Sequence, residues 1–352
     1  MVYYLKLLLW PFAFLYGRIM AVRNLLYDAG LLPSRRFGLP VIAVGNLTVG
    51  GTGKTPHVEY LLRLLQSYSI ATLSRGYKRT TKGFILADNS STAAILGDEP
   101  FQYHQDFPEV AVAVCEDRVK GVELLLKAKP NVEVVVLDDA MQHRPIRPSF
   151  NILITDFFRP FYKDLVMPAG LLREPKAGAK RADVIIVSKC PANLPAAQRE
   201  SITASIKKYS KAPVFFSGYT YGAPVGIGSE SSINNDVILL TGIANAMPLK
   251  QQLQQQGYTI LEHINYPDHH LYTSQDLLKL KEQIHKYKSQ NISIITTRKD
   301  AVKLESGELS EMTRLLPIFY IPIEVELLEK QEEFDSMIGQ HVLQQFKNVI
   351  RS

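Results

Sequence analysis

Val41-Ile-Ala-Val-Gly-Asn-Leu-Thr-Val-Gly-Gly-Thr-Gly-Lys-Thr-Pro56 is an apolar run that breaks into a glycine-rich loop ending in Gly53-Lys54-Thr55. A buried strand feeding such a loop brings backbone N–H groups around phosphate oxygens, while the lysine adds a charge and the threonine hydroxyl a ligand for Mg²⁺. Thr48, Val49, Gly50, Gly51, Thr52, Gly53, Lys54 and Thr55 are therefore the expected cradle for a nucleoside triphosphate. The match to G-x-x-x-x-G-K-[ST] is not strict, because its first glycine falls on Thr48 and Gly50 and Gly51 supply the freedom instead. A plain glycine turn between strand and helix explains neither the clustered glycines nor Lys-Thr at the helix start.

Outward from this loop, the spacing predicts a helix over His57–Gln66 and a second strand over Ile70–Ser74. Short apolar runs recur at Val110–Cys115, Val132–Leu137, Ile152–Thr155, Val184–Val187 and Val214–Phe216, separated by segments able to form helices. Such alternation argues for a parallel sheet covered on both faces, with functional residues just beyond the carboxyl ends of the strands. Polar residues cluster at those ends: Ser74-Arg75, Glu116-Asp117-Arg118, Asp138-Asp139, Asp156 and Ser188-Lys189. Gly, Ser and Asn become frequent over Ser217–Asn235, which reads as an interdomain connection. A second alternating series then runs through Val237–Gly242, Tyr258–Leu261, Ile292–Thr296 and Ile318–Ile323, and Glu332–Phe346 reads as a closing amphipathic helix. The expected fold class is α/β: a P-loop NTPase-like parallel-sheet domain over 27–217, a smaller α/β domain over 218–352 that contributes to the active-site cleft, and an amphipathic N-terminal segment over 1–26.

The chain has 352 residues, 46% of them hydrophobic, which is ample for packed cores. A net charge of +6 is a small excess of 40 basic over 34 acidic residues, so anionic partners are favoured but nucleic acid is not implied. Cys115 and Cys190 lie far apart and indicate neither a disulfide framework nor a zinc site. Leu7–Gly17 is an uncharged apolar stretch bracketed by Lys6 and Arg18. It is too short to cross roughly 30 Å of hydrocarbon, which takes about 20 helical residues. It reads either as an interfacial segment, with Tyr3, Tyr4, Trp10 and Tyr16 as amphipathic rings and Lys6, Arg18 and Arg23 for anionic headgroups, or as an amphipathic helix packed on its own domain.

Several constellations carry chemistry. Val132–Leu137 followed by Asp138-Asp139 has the form of a Walker B strand, which places a carboxylate where Mg²⁺ bridges a triphosphate. Nearby, Gln142-His143-Arg144 either orients a phosphate or caps a turn. In Gly97-Asp98-Glu99-Pro100 a carboxylate is available to accept a proton from an attacking hydroxyl, or to cap a helix. Pro267-Asp268-His269-His270 offers an imidazole to a cleft or forms a surface turn, and adjacent histidines point differently, so no metal site follows. Thr296–Asp300 presents two cations after a strand, or is a solvated helix start.

Taken in order, GNLTVGGTGKTP, SRGY at Ser74–Tyr77, GDEP at Gly97–Pro100, DDAMQHR at Asp138–Arg144, MPAGLLREP at Met167–Pro175, DHH at Asp268–His270 and KDAVKL at Lys299–Leu304 resemble the tetraacyldisaccharide 4′-kinase (lipid A 4′-kinase) family over essentially the whole chain. The resemblance implies transfer of the ATP γ-phosphate to the 4′-hydroxyl of a tetraacylated glucosamine disaccharide 1-phosphate, giving lipid IV-A. It implies ATP and Mg²⁺ as cofactors, the acylated disaccharide and the membrane surface as partners, and a peripheral or monotopic place at the cytoplasmic face of the inner membrane. Carried over by motif, Thr48–Thr55 would hold ATP with Lys54 in the chemistry, and Thr55, Asp138 and Asp139 would organise Mg²⁺. Asp98 would accept the hydroxyl proton, with His269 assisting across the domain cleft. Arg75, Gln142, His143 and Arg173 would meet anionic groups of ATP or lipid. The chain departs from the family pattern in reading DDAMQH for DDGFQH, AGL for AGP before LREP, and TRKD for TEKD, the last reversing a charge at Arg298. Two other classes compete: a switch-type P-loop ATPase or GTPase, whose signature lysine would fall on Val49, and a membrane adaptor that uses ATP only for shape change.

Overall fold

The computed structural model describes residues 2–287 and 291–350. The first part of the chain runs α1 (Val2–Asp28), β1 (Val41–Gly45), α2 (Lys54–Leu64), β2 (Ile70–Ser74), β3 (Ile85–Leu86), α3 (Ala93–Leu96), α4 (Asp98–Asp106), β4 (Ala111–Val114), α5 (Arg118–Ala128), β5 (Val134–Asp138), β6 (Phe150–Asp156), β7 (Val184–Ser188), α6 (Ala196–Lys207) and β8 (Val214–Tyr221). It continues with β9 (Val225–Gly226), β10 (Asp236–Thr241), α7 (Met247–Gln255), β11 (Thr259–Asn265), α8 (Ser274–Lys286), β12 (Ser293–Thr297), α9 (Arg298–Leu304), α10 (Leu309–Thr313) and β13 (Ile318–Ile321). It ends with β14 (Ile323–Leu327) and α11 (Gln331–Ile350).

Strands β1, β2, β4, β5, β6, β7 and β8 form the parallel body of a nine-stranded sheet, ordered β14-β8-β7-β6-β1-β5-β2-β4-β3, with the edge strands β14 and β3 antiparallel. The interior strands are buried along their length because helices cover both faces, which is why they read as unbroken Val/Ile/Leu runs. The second sheet has the order β11-β10-β12-β13-β9, parallel except for β9.

The boundary at 218 does not hold at either end. β8 continues through Tyr221, and the chain returns to the large sheet at β14, which pairs with β8 from Ile323↔Tyr221 to Leu327↔Ser217. The two crossings lie side by side, with Gly222 N–H donating to Pro322 C=O at 3.0 Å. α11 then packs Phe334, Ile338 and Val342 into the same core as β1 and β6. That i, i+4, i+8 stripe contributes about 1.5–3 kcal/mol per fully buried side chain, so the last residues belong to the nucleotide-binding unit. The smaller unit is an insertion between β8 and β14. Its separation by sequence alone fails because β14 alternates like any edge strand and nothing local names its partner.

α1 docks with its polar side inward. Tyr16 Oη donates to the carbonyl of Arg173 at 3.0 Å, Arg23 reaches the carbonyl of Gln142 at 3.2 Å, and Asn24 donates to the buried Glu174 at 2.6 Å. Trp10, Phe12, Leu15, Ile19 and Leu25 remain exposed. Arg23, expected to meet headgroups, is thus spent on the protein. Among the described residues no helix is long and apolar enough to cross a membrane.

Candidate active site

The glycine loop lies between β1 and α2. The helix begins at Lys54 rather than His57, because Gly53 caps it in a left-handed conformation (φ 83) that places Lys54 and Thr55 in the first turn. A side chain at Gly53 is excluded twice over: the backbone conformation disfavours it, and a Cβ would lie 2.1 Å from Tyr219 Oη. Inside the loop, Asn46 Nδ2 donates to Thr52 Oγ1 at 2.8 Å and Ser188 Oγ donates to the Thr52 carbonyl at 2.7 Å. His57 lies beneath, its Nδ1 on the Gly53 carbonyl at 2.7 Å and its Nε2 on Ser217 Oγ at 2.9 Å. Burial pushes its pKa down to about 4, against the pull of the Gly53 carbonyl, so the ring is neutral. The 165–175 loop braces the cradle from outside, with Val49 N–H donating to Leu171 C=O and Arg173 N–H to Leu47 C=O, both at 2.8 Å.

Asp138 and Asp139 have different surroundings. Asp139, in a left-handed conformation (φ 52), accepts from Arg173 at 2.9 Å and lies 3.4 Å from Lys54 Nζ. Burial works against its charge, but Lys54 and Arg173 outweigh it and hold the carboxyl below its ordinary range. Asp138 ends β5, fully enclosed; Tyr103 Oη donates to its Oδ2 at 3.1 Å, and its Oδ1 has no hydrogen-bond partner among the described residues. Burial drives the Asp138 pKa up to about 6, against the pull of Lys54. A buried carboxylate oxygen left unpaired beside a phosphate loop suits a cation, so the residues fit Mg²⁺.

Asp98 is the first residue of α4, and its N-cap is Gly97 (φ 94), whose backbone packs against Gly76 and Tyr77; the SRGY and GDEP motifs are therefore neighbours in space. The carboxylate faces the inserted domain. His269 Nδ1 lies 3.2 Å from Asp98 Oδ2, Lys303 Nζ lies 3.3 Å from the same oxygen, and Lys299 Nζ is 3.3 Å from His269 Nε2. These neighbours assign the tautomer: Nδ1–H donates to Asp98, and Nε2 accepts from Lys299. Burial opposes ionisation of Asp98, but the His269 hydrogen bond, Lys303 and Lys299 win and depress its pKa. His269 takes a left-handed backbone (φ 63), a conformation that costs on the order of 1 kcal/mol or more and concentrates at functional sites. His270 turns away, stacks on Tyr266 at 4.1 Å and bonds Asp276 at 3.1 Å.

The remaining expected residues divide. Gln142 Nε2 donates to the Asn46 carbonyl at 2.7 Å and to Glu174 at 2.9 Å, and His143 Nε2 accepts from Arg118 N–H at the start of α5 at 3.2 Å. Burial, with Arg118 adding to it, lowers the His143 pKa to about 4. Both side chains are committed within the protein, as is Arg173, whereas Arg75 stands exposed beyond β2. Sequence reasoning missed Lys303 and Glu174. Lys303 is buried on the face of α9 that meets Asp98, one turn after Lys299, so its signal was the i, i+4 spacing within KDAVKL. Glu174 is a buried hub that accepts from Asn24, Gln142 and Arg181, the last at 2.6 Å, and no local pattern marks it.

Comparison with known proteins follows the geometry. The model of the LpxK family, tetraacyldisaccharide-1-P 4′-kinase, matches residues 5–343. A tetraacyldisaccharide 4′-kinase from Bacteroides thetaiotaomicron is 42% identical over 354 residues, covering 95% of this chain and 92% of the relative. One from Flavobacterium psychrophilum is 44% identical over 347 residues, covering 96% and 97%. The crystal structure of the "apo" form of LpxK from Aquifex aeolicus in complex with ATP superposes with a TM-score of 0.75 at 30% identity, over 96% of this chain and 99% of that one. With a family match over nearly its full length and relatives above 40% identity, the chain belongs to the tetraacyldisaccharide-1-P 4′-kinase family.

Proposed function

We propose that this chain transfers the γ-phosphate of ATP to the 4′-hydroxyl of a tetraacylated glucosamine disaccharide 1-phosphate, a step of lipid A biosynthesis. The observation that carries the reading is the contact of Asp98 with His269, made between two domains by a helix whose Tyr103 reaches Asp138. The switch-type ATPase has no use for an acceptor site built from an inserted domain, and the adaptor has no use for a proton acceptor.

The N–H groups of Thr48–Thr55 and the Lys54 ammonium would bind the β- and γ-phosphates, with Asp139 holding Lys54 in place. Thr55 and Asp138 would hold Mg²⁺, which would supply charge neutralisation for the transferring phosphate. The 4′-oxygen forms the new P–O bond, the bond from the γ-phosphorus to the β–γ bridging oxygen breaks, and the hydroxyl proton passes to Asp98. The transition state of phosphoryl transfer is loose, so the nucleophile's proton leaves late, and an ionised, well-oriented carboxylate serves even with a depressed pKa. His269 supplies the orientation and Lys303 keeps Asp98 ionised.

The exposed apolar residues of α1 support peripheral attachment at the inner-membrane surface, on the same side of the molecule as Arg173, Glu174 and Gln142. Arg75, exposed beyond β2, is the remaining candidate for an anionic group of the lipid. The test is to incubate the purified chain with labelled ATP, Mg²⁺ and the acylated disaccharide 1-phosphate in detergent and to locate the label. Phosphate on the 4′-oxygen is expected; nucleotide turnover indifferent to lipid would reject the reading.

A further inference from the structure

α4 meets α9 through an apolar contact in which the buried Phe101 and Val302 share one small cluster. A contact this small leaves the angle between two helices free within the roughly 15–20° scatter of helix packing. The polar contacts that define it lie on either side. At the first turn of α4, Asp98 pairs with Lys303 at 3.3 Å and Glu99 lies 3.8 Å from Lys299. At the other end Arg298, the first residue of α9, closes on the last residues of α4. Its Nε donates to both oxygens of Asp106 at 3.0 and 3.1 Å, and its Nη2 donates to Asp106 Oδ1 at 2.5 Å and to Gln105 Oε1 at 3.2 Å. Its Nη1 donates to Glu305 at 2.7 Å, and the guanidinium lies 4.7 Å from the ring centroid of Tyr320 on β13. The Arg298 side chain is only 15% exposed, so this is not a loose surface pair. Gln102 to Glu59 at 2.6 Å and Tyr103 to Asp138 tie α4 to its own domain, while Arg298 ties its carboxyl end to the inserted one.

We infer that Arg298 is a positioning residue of the transfer reaction: its fork on Gln105 and Asp106 sets the angle of α4 against α9, and so where Asp98 meets His269 and Lys303. The inference rests on the proposed role of Asp98 as proton acceptor. Asp98 lies three residues, about 4.5 Å along the helix axis, before Phe101, so a tilt of about 10° about the apolar contact moves it by about 0.8 Å. That shift takes a contact of 3.2 Å beyond hydrogen-bonding range. A misplacement of this size costs on the order of a hundredfold in rate.

The test uses the full chain in the detergent assay, with Arg298→Ala, Arg298→Lys, Asp106→Asn and Asp98→Asn compared for kcat, the KM for ATP and the pH profile of kcat. Arg298→Ala should lower kcat by roughly ten- to a hundredfold with the KM for ATP within about twofold. Arg298→Lys, which keeps the charge but loses the fork, should recover only part of the loss. Asp98 faces His269 from the loop after β11, Lys299 and Lys303 from α9, and Glu99 on its own helix. Once displaced from the first three, it should titrate higher, so the acidic limb of kcat should move to higher pH. Combining Arg298→Ala with Asp106→Asn should cost no more than the worse single change. Folding of each variant is checked by thermal melting and ATP binding, and the milder Arg298→Lys carries the test if Arg298→Ala does not fold. A kcat within about twofold of the parent, or a loss with no movement of the acidic limb, overturns the inference while an inactive Asp98→Asn leaves the proton-acceptor reading standing. A fully active Asp98→Asn removes that reading and this inference with it.

Discussion

The pair formed by Asp98 and His269 gives the sharpest prediction, because one contact of 3.2 Å spans the two domains and each partner can be removed separately. Asp98→Asn keeps the shape of the side chain and removes the basic oxygen. General bases contribute about 10²–10⁴ to rate, so a loss of roughly a thousandfold in kcat is expected with ATP binding nearly intact. His269→Ala removes a hydrogen bond to an ionised acceptor, worth about 1.5–3 kcal/mol, which is roughly a ten- to 150-fold loss if all of it is expressed in the transition state. If His269 acts only through Asp98, nothing remains for it to orient in Asp98→Asn. The double variant should then match Asp98→Asn within about threefold, although the product of the single losses is at least ten times larger. His269→Ala also removes an interaction that lowers the Asp98 pKa, so that variant should lose activity in mild acid at a higher pH than the parent. The assay is the initial rate of label transfer from ATP to detergent-dispersed lipid at saturating concentrations of both. Fully multiplicative losses would show that the two residues act independently and refute the reasoning.

Lys54→Ala should lower turnover by about a hundredfold or more, since electrostatic stabilisation of a transferring phosphoryl group is worth several kcal/mol; a near-normal rate would remove the loop from the mechanism. Glu59, buried on α2 against Gln102, has its pKa pushed by burial from the ordinary glutamate range up to about 7, with Asp106 adding to the shift. The folded state therefore holds this proton to a higher pH than the unfolded chain does, and stability falls as pH rises from about 4.5 to 7 by up to about 3 kcal/mol. Glu59→Gln should accordingly raise the urea midpoint at about pH 8 and change it little at about pH 4.5, whereas an equal gain at both would contradict the assignment. On α1, Trp10→Ser with Leu15→Ser should weaken binding to anionic vesicles by about a hundredfold, because two buried apolar side chains are worth about 3 kcal/mol or more. Salt should release only a minor part, since Arg23 is committed to the protein; vesicle binding unchanged by the two substitutions would reject the apolar side as the contact.

The nucleotide half of this protein was legible in the sequence because its information is local. A buried strand, a glycine loop and a Lys-Thr pair are contiguous, so Val41–Thr55 announced its structure within fifteen residues, and the alternation of short apolar runs announced the parallel sheet. Asp98 and His269 were legible only as motifs. They are 171 positions apart and nothing in that interval states that the two meet; the meeting depends on Gly97 turning α4 toward the inserted domain and on a left-handed His269. The return of β14 and α11 to the first sheet was decided by pairing with β8, a choice between two sheets that an edge strand's own residues do not express. Gln142 and His143, polar and close to the acidic pair, look like ligands for substrate in sequence and are structural in space, since a side chain's partner depends on which backbone groups the fold leaves unpaired beside it. Lys303 and Arg298 show the converse: one a cation within a helical pattern and the other a departure from the family pattern, both acquire their meaning only when α9 is laid across α4. Sequence determined what could be encoded in a strand, a loop or a helix turn; tertiary structure decided which charges face one another, because that depends on distances set by the whole packed core.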